Sequence, residues 1–131
     1  MSVRKQIADQ LRADWAEIPN LANVRVIGTE RTIDRLDQPT ALLRLRTIER
    51  LPQAPLAGRN VGLLLTLISE REDLDLAGDD IEELTEAVLT YLGPRYKHDR
   101  AEVVGYGDRL AVDIPLTIIA VAETAPTPEE A

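Results

Sequence analysis

The spacing of apolar residues predicts the elements before any other feature is needed. Val3, Ile7, Leu11, Trp15 and Ile18 fall within one third of a helix circumference, which predicts an amphipathic helix over 3–18. Pro19 closes it, since proline lacks the N–H a helix needs. From Asn23 the period changes to two: Val24, Arg25 and Val26 alternate as a strand does. In residues 40–51 the alternation puts Ala41, Leu43, Leu45 and Thr47 on one face. Leu42, Arg44, Arg46, Ile48 and Arg50 fall on the other. Residues 60–69, NVGLLLTLIS, are apolar on both faces, which marks a central strand or one covered by a second subunit.

A second helical stripe follows. Ile81, Leu84, Val88, Tyr91 and Leu92 share one face, while Glu82, Glu83, Glu86 and Thr90 face away. Asp79 with Glu82 three residues on has the form of a capping box, so the helix is expected over 80–92, with Gly93-Pro94 as its stop. Beyond it, AEVVGY, a Gly107-Asp108 turn and RLAVDIPLTIIAVA predict a hairpin. Pro115 cannot donate a ladder bond, so the last strand is expected to have an edge or a bulge there. The expected order is α-β-β-β-α-β-β. It implies a single α+β domain over residues 1–122: an antiparallel sheet of four to five strands with two helices on one face. Leu11, Trp15, Leu84, Val88, Val112 and Ile114 are expected in one core. The polar, proline-rich stretch 123–131 is expected to be a disordered tail.

Composition narrows the chemistry. The 131 residues include no Cys and no Phe, and 44% are hydrophobic, so Leu, Ile and Val must fill the core. Without Cys there is no disulfide and no thiolate nucleophile or ligand. The single histidine, His98, sits between Lys97 and Asp99, and the only serines are Ser2 and Ser69. No nucleotide-binding glycine motif is present; GYG at 105–107 reads as hairpin geometry. The expectation is therefore no catalytic, cofactor-binding or metal-binding residues, and no enzyme. The N-terminal residues are too charged for a signal peptide, and LAVDIPLTIIAVA is too short and too interrupted to span a bilayer. No membrane association is expected.

Charge is unevenly spread over the net −8. Residues 1–60 carry ten Lys/Arg against seven acids, whereas residues 61–131 carry five against sixteen. Such asymmetry can orient copies of a chain head to tail. Within it, Arg44, Arg46, Arg50 and Arg59 flank the loop Pro52, Gln53, Ala54, Pro55, Leu56, Ala57 and Gly58. This loop is longer than most hairpin connections and is expected to order only against a partner. The segment 70–86 carries nine acids against Arg71 alone. A solvated helix face accounts for its carboxylates better than a metal or catalytic role does; a further reading is an interface in which the arginines of one copy meet Glu70, Asp73, Asp75, Glu82, Glu83 and Glu86 of the next.

The run TIDRLDQPTALLRLRTIERLPQAPLAG, with I-D-x-L-x-x-P-T from Ile33 to Thr40, the strand ending at Arg50 and the P-x-A-P loop from Pro52 to Pro55, resembles the central signature of tail terminator (tail completion) proteins of long-tailed bacteriophages. RLAVDIPLTI, Arg109 to Ile118, is similar to the family's last strand. The resemblance implies a compact α+β structural protein without cofactors. It would form a homo-oligomeric, hexameric ring on the last ring of the major tail tube protein. That ring would stop tube growth and offer a surface to the head–tail connector protein, with DNA passing through its lumen without specific binding. The implied location is the head-proximal end of the virion tail, reached from the host cytoplasm during assembly. Two other readings stay open: another neck or head-completion protein of the particle, and a small ligand-binding or regulatory α+β domain.

Overall fold

The computed structural model describes residues 2–28, 36–50 and 58–121. The chain is α+β, with two helices on a six-stranded mixed sheet. In chain order these are α1 (Val3–Trp15), β1 (Arg25–Ile27), β2 (Thr40–Arg50), β3 (Gly58–Ile68), α2 (Leu74–Leu92), β4 (Lys97–His98), β5 (Glu102–Tyr106) and β6 (Arg109–Val121). The sheet runs β1-β2-β3-β6-β4, with β5 also paired to β6. The order differs from the expected α-β-β-β-α-β-β by the two-residue β4, and the sheet has six strands rather than four to five. The sheet is not wholly antiparallel, because β1 joins β2 in parallel, Val26 opposite Ala41.

The core lies between the helices and one face of the sheet. Ala8, Leu11 and Trp15 of α1 and Ile81, Val88 and Leu92 of α2 join one cluster with Ala41, Leu43, Leu63, Leu65, Val112 and Ile114. Both helices therefore cover the same face, and Leu84 packs at the margin of that cluster, half-buried. β3 is the central strand the sequence implied, paired to β2 on one side and to β6 on the other. Trp15 anchors α1, 1% exposed, with its ring edge-on to Tyr91 at 5.9 Å.

α1 ends at Trp15, three residues earlier than expected, and turns carry the chain through Ile18 to Leu21. It lies close against β1. A Cβ on Gly28 would stand 2.5 Å from the Ala8 Cβ, so only glycine permits this approach. Arg25 N–H donates to Pro39 O, which turns the alternate carbonyls of Val26 and Gly28 outward. Arg12 donates to Val26 O through Nε and Nη2, and Arg4 Nε donates to Gly28 O at 2.7 Å. Two guanidiniums thus occupy the outer edge of β1 and block a further strand there.

α2 starts six residues before the expected position. Asp73 is the N-cap, its carboxylate accepting from the Asp75 and Leu76 N–H groups. Asp79 lies inside the helix and caps nothing. Gly107, at φ 61°, makes the expected two-residue turn between Tyr106 and Arg109. Pro115 pairs with Leu64 without interrupting β3–β6. Its carbonyl accepts from Asp99 N–H on the opposite side, between the β5 and β4 ladders. In an antiparallel strand a residue's N and C=O share a direction, so the missing N–H costs no β3 bond.

Candidate functional site

One bulge rearranges the arginine-bearing strand. Leu45 pairs with Leu63 and Thr47 with Gly62, so Arg46 is an extra residue between them. The even-numbered row expected from simple alternation is therefore broken. Leu42 and Arg44 lie on the face away from the helices. Ile48, opposite Val61, lies on the helix-covered face. Arg50 pairs in register with Arg59, and Arg59 belongs to β3 rather than to the loop, as does Gly58. The remaining residues of that loop, Pro52 to Ala57, lie outside the described residues, as does the expected tail 123–131.

Arg44, one of the arginines expected at an interface, has a partner within its own chain. Its Nη2 donates to Thr66 Oγ1 at 2.9 Å, and Thr66 Oγ1 donates to Asp113 Oδ1 at 2.7 Å. This relay crosses β2, β3 and β6 on the open face, with Thr66 1% exposed. It borders a small second core of Leu42, Ile68 and Ala111. Arg44, Thr66 and Asp113 share a face by parity, a signal available once the three strands are aligned.

The ladder's two ends differ in chemistry. β3 runs from Gly58 to Ile68, and at about 3.4 Å per residue its ends lie ~34 Å apart. Arg59 and Glu49 stand toward the Gly58 end, and Arg46 lies nearer the middle, between the partners Leu63 and Gly62. On the helix-covered face there, exposure climbs from 0% at Leu43 to 40% at Leu45 and 59% at Ile48. The helical layer stops short of this corner, leaving an apolar surface beside cations.

At the Ile68 end lies an open groove of about 1080 Å³ between α2 and the chain from Ile18 to Val24. Half-buried Ile18, Val24, Pro39, Leu84 and Ala87 give it apolar lining. Glu70, Asp79, Asp80, Glu82, Glu83 and Glu86 supply carboxylates, and no Lys or Arg lines it. Of the six acids expected at an interface, four line this groove. Asp73 and Asp75 do not: Asp73 caps α2 and Asp75 is exposed in its first turn. Asp79 and Asp80 take their place, because α2 starts early and presents this turn to the groove.

Part of the acidic charge is met internally. Arg71 bonds the Asp80 carboxylate, which raises the Arg71 pKa further. Arg109 donates to Glu70 O and reaches Glu72 Oε2 at 3.5 Å. Among the described residues, no group of three or more His, Cys, Asp or Glu side chains is placed to hold a metal ion. The groove's carboxylates are strung along a wall, a layout that suits a cationic surface more than a single ion.

A separate cluster lies at the edge of the core around buried Tyr91, with Asp14 half-buried and Arg95 exposed. Tyr91 OH donates to Asp14 Oδ2, and Arg95 stacks 4.3 Å from the Tyr91 ring centroid. Burial, then the bond to Asp14, raises the Tyr91 pKa. The Tyr91 hydroxyl, with the Gln10 amide second, lowers that of Asp14. His98 lies on β4, half-buried, with Nδ1 3.1 Å from Asp99 O. Among the described residues no helix is long and apolar enough to cross a membrane.

In comparisons with known proteins, no protein-family model matches the chain and no curated protein matches it.

Proposed function

We propose that this chain is a structural ring subunit that caps the end of a phage tail tube, stops its polymerisation and presents a face to the head connector. The observation that carries the reading is the segregation of charge along the sheet. Cations and exposed apolar side chains mark the β2–β3 ladder from its middle toward Gly58, and a carboxylate-walled groove marks its Ile68 end. Unlike surfaces set apart on one chain favour heterologous, head-to-tail contacts, which close into a ring when the rotation permits. The resemblance of Ile33 to Pro55 and Arg109 to Ile118 to tail terminators supplies the identity of the ring's target. The charge pattern alone fits any neck protein of such a particle.

A strand-edge contact with a second copy is blocked at β1, where Arg4 and Arg12 occupy the outward carbonyls. We assign association to side-chain surfaces, where charge and exposed apolar groups are segregated. The test is mass measurement in solution and electron microscopy, with the chain alone and with cognate tube protein. Rings that bind tube ends and shorten tube length support the reading. Chains that leave tube length unchanged while melting higher with a small cationic metabolite favour a ligand-binding domain in the same groove.

A further inference from the structure

We infer that the groove between α2 and the Ile18–Val24 chain is the receptor for the Leu45–Ile48 corner of a second copy of this chain. The inference rests on the ring reading above and names the two surfaces that meet. The donor corner is apolar with a basic rim. Leu45 and Ile48 are 40% and 59% exposed on a face whose neighbours Leu43 and Leu63 are fully buried, and Arg46 and Arg59 flank them. The acceptor inverts that arrangement. Half-buried Ile18, Val24 and Leu84 line it, and Glu82, Glu83 and Glu86 stand on its α2 wall without a Lys or Arg among the lining residues.

Leu45 and Ile48 pair with Leu63 and Val61, five and seven residues from Ile68, so at about 3.4 Å per residue the corner stands ~17–24 Å along the sheet from the groove's end, and one copy can give and receive at once. Each apolar group would leave water against an apolar partner, and each charge would find its opposite at the rim. Rim charges select the partner and speed the encounter, while the apolar centre holds it. Other exposed apolar residues lack this match: Leu74 and Leu76 sit in the acidic first turn of α2, and Val103 on β5 stands next to Glu102. Ile119, 67% exposed, pairs with Asn60 on the face away from the helices, and no Lys or Arg pairs directly with it.

The experiment uses the full chain and sedimentation velocity over a concentration series, with melting curves as a check on folding. Ile48→Asp, and separately Glu82→Arg with Glu83→Arg, should each weaken self-association at least about tenfold while Tm stays unchanged, because these side chains are exposed. Adding Arg46→Glu to the Glu82/Glu83 variant should restore most of the loss. Restoration separates specific pairing from a general charge effect. Wild-type-like association of the Ile48→Asp variant, no recovery in the charge swap, or a wild-type chain that stays monomeric throughout would each overturn the inference. Variants that self-associate and cap tubes as wild type does would overturn this pairing and leave the capping reading intact. Wild-type rings that ignore tube ends would do the reverse.

Discussion

Gly28 shows how a single atom sets the distance between helix and sheet. Gly28→Ala puts a Cβ 2.5 Å from the Ala8 Cβ, and neither atom can rotate away because both are fixed to backbone. The expected cost is about 1–3 kcal/mol in a urea melt, the range for overpacking. The loss should be partly reversed when Ala8→Gly is added, a non-additivity that a double-mutant cycle reads directly. Asp14 gives a second residue-scale test. Its folded pKa is depressed below 3.8, chiefly by the Tyr91 hydroxyl and then by Gln10. A depressed acid contributes stability that is present above its unfolded value and is lost as pH falls through the folded one. Tyr91→Phe removes the larger cause, so the Asp14 pKa should move back toward 3.8. Urea midpoints measured from about pH 5 to about pH 2 should then fall less steeply for the variant than for wild type. Identical acid limbs would show that the hydroxyl does not hold the carboxylate.

At the scale of elements, the bulge in β2 is the feature that most alters what the sequence can do. Deleting Arg46 joins the Leu45–Leu63 and Thr47–Gly62 pairs into a regular ladder without moving Ile48 from Val61. Stability should therefore change by no more than about 1 kcal/mol, well under the cost of a register slip that exposes a core face. Loss of cooperative unfolding would show that the bulge is needed for the strand to bend. The bulge also explains which parts of this strand were legible in the sequence. Alternation placed Ala41 and Leu43 correctly, but from Leu45 to Ile48 the apolar spacing becomes three. That change was the available sign of an extra residue. The start of α2 was hidden for a different reason. Its first turns carry exposed Leu74, Asp75 and Leu76, with Ala77 the sole buried side chain before Ile81. The amphipathic period therefore begins late, although the helix already stands on the Asp73 cap. The parallel pairing of β1 was not legible, since Val24-Arg25-Val26 fits either strand direction. The candidate site was half legible. Glu82, Glu83 and Glu86 stood out as an exposed helix face, whereas the groove depends on where residues 18–24 pass, which no local pattern gives.

For the whole molecule, the separation of charge has a consequence that holds for any neighbour it meets. The −8 net charge repels copies at long range, yet the cation-bearing corner and the carboxylate-walled groove attract when aligned. Salt acts on both terms and not on the apolar contact between them. At low ionic strength, about 0.01 M, the screening length near 30 Å is comparable with the ~34 Å between the ladder's ends, so repulsion between whole chains is felt together with the local attraction. Near 0.15 M the length falls to about 8 Å; net repulsion fades while charges in contact still pair. Near 1 M it is about 3 Å, and the pairing of exposed rim charges is largely lost. Self-association should therefore pass through a maximum at intermediate salt and weaken toward 1 M, without disappearing, because the apolar share persists. Sedimentation across that range in sodium chloride checks the shape of the curve. Association that rises steadily to 1 M would assign the contact to apolar burial alone, with the arginines and carboxylates left as solvated surface.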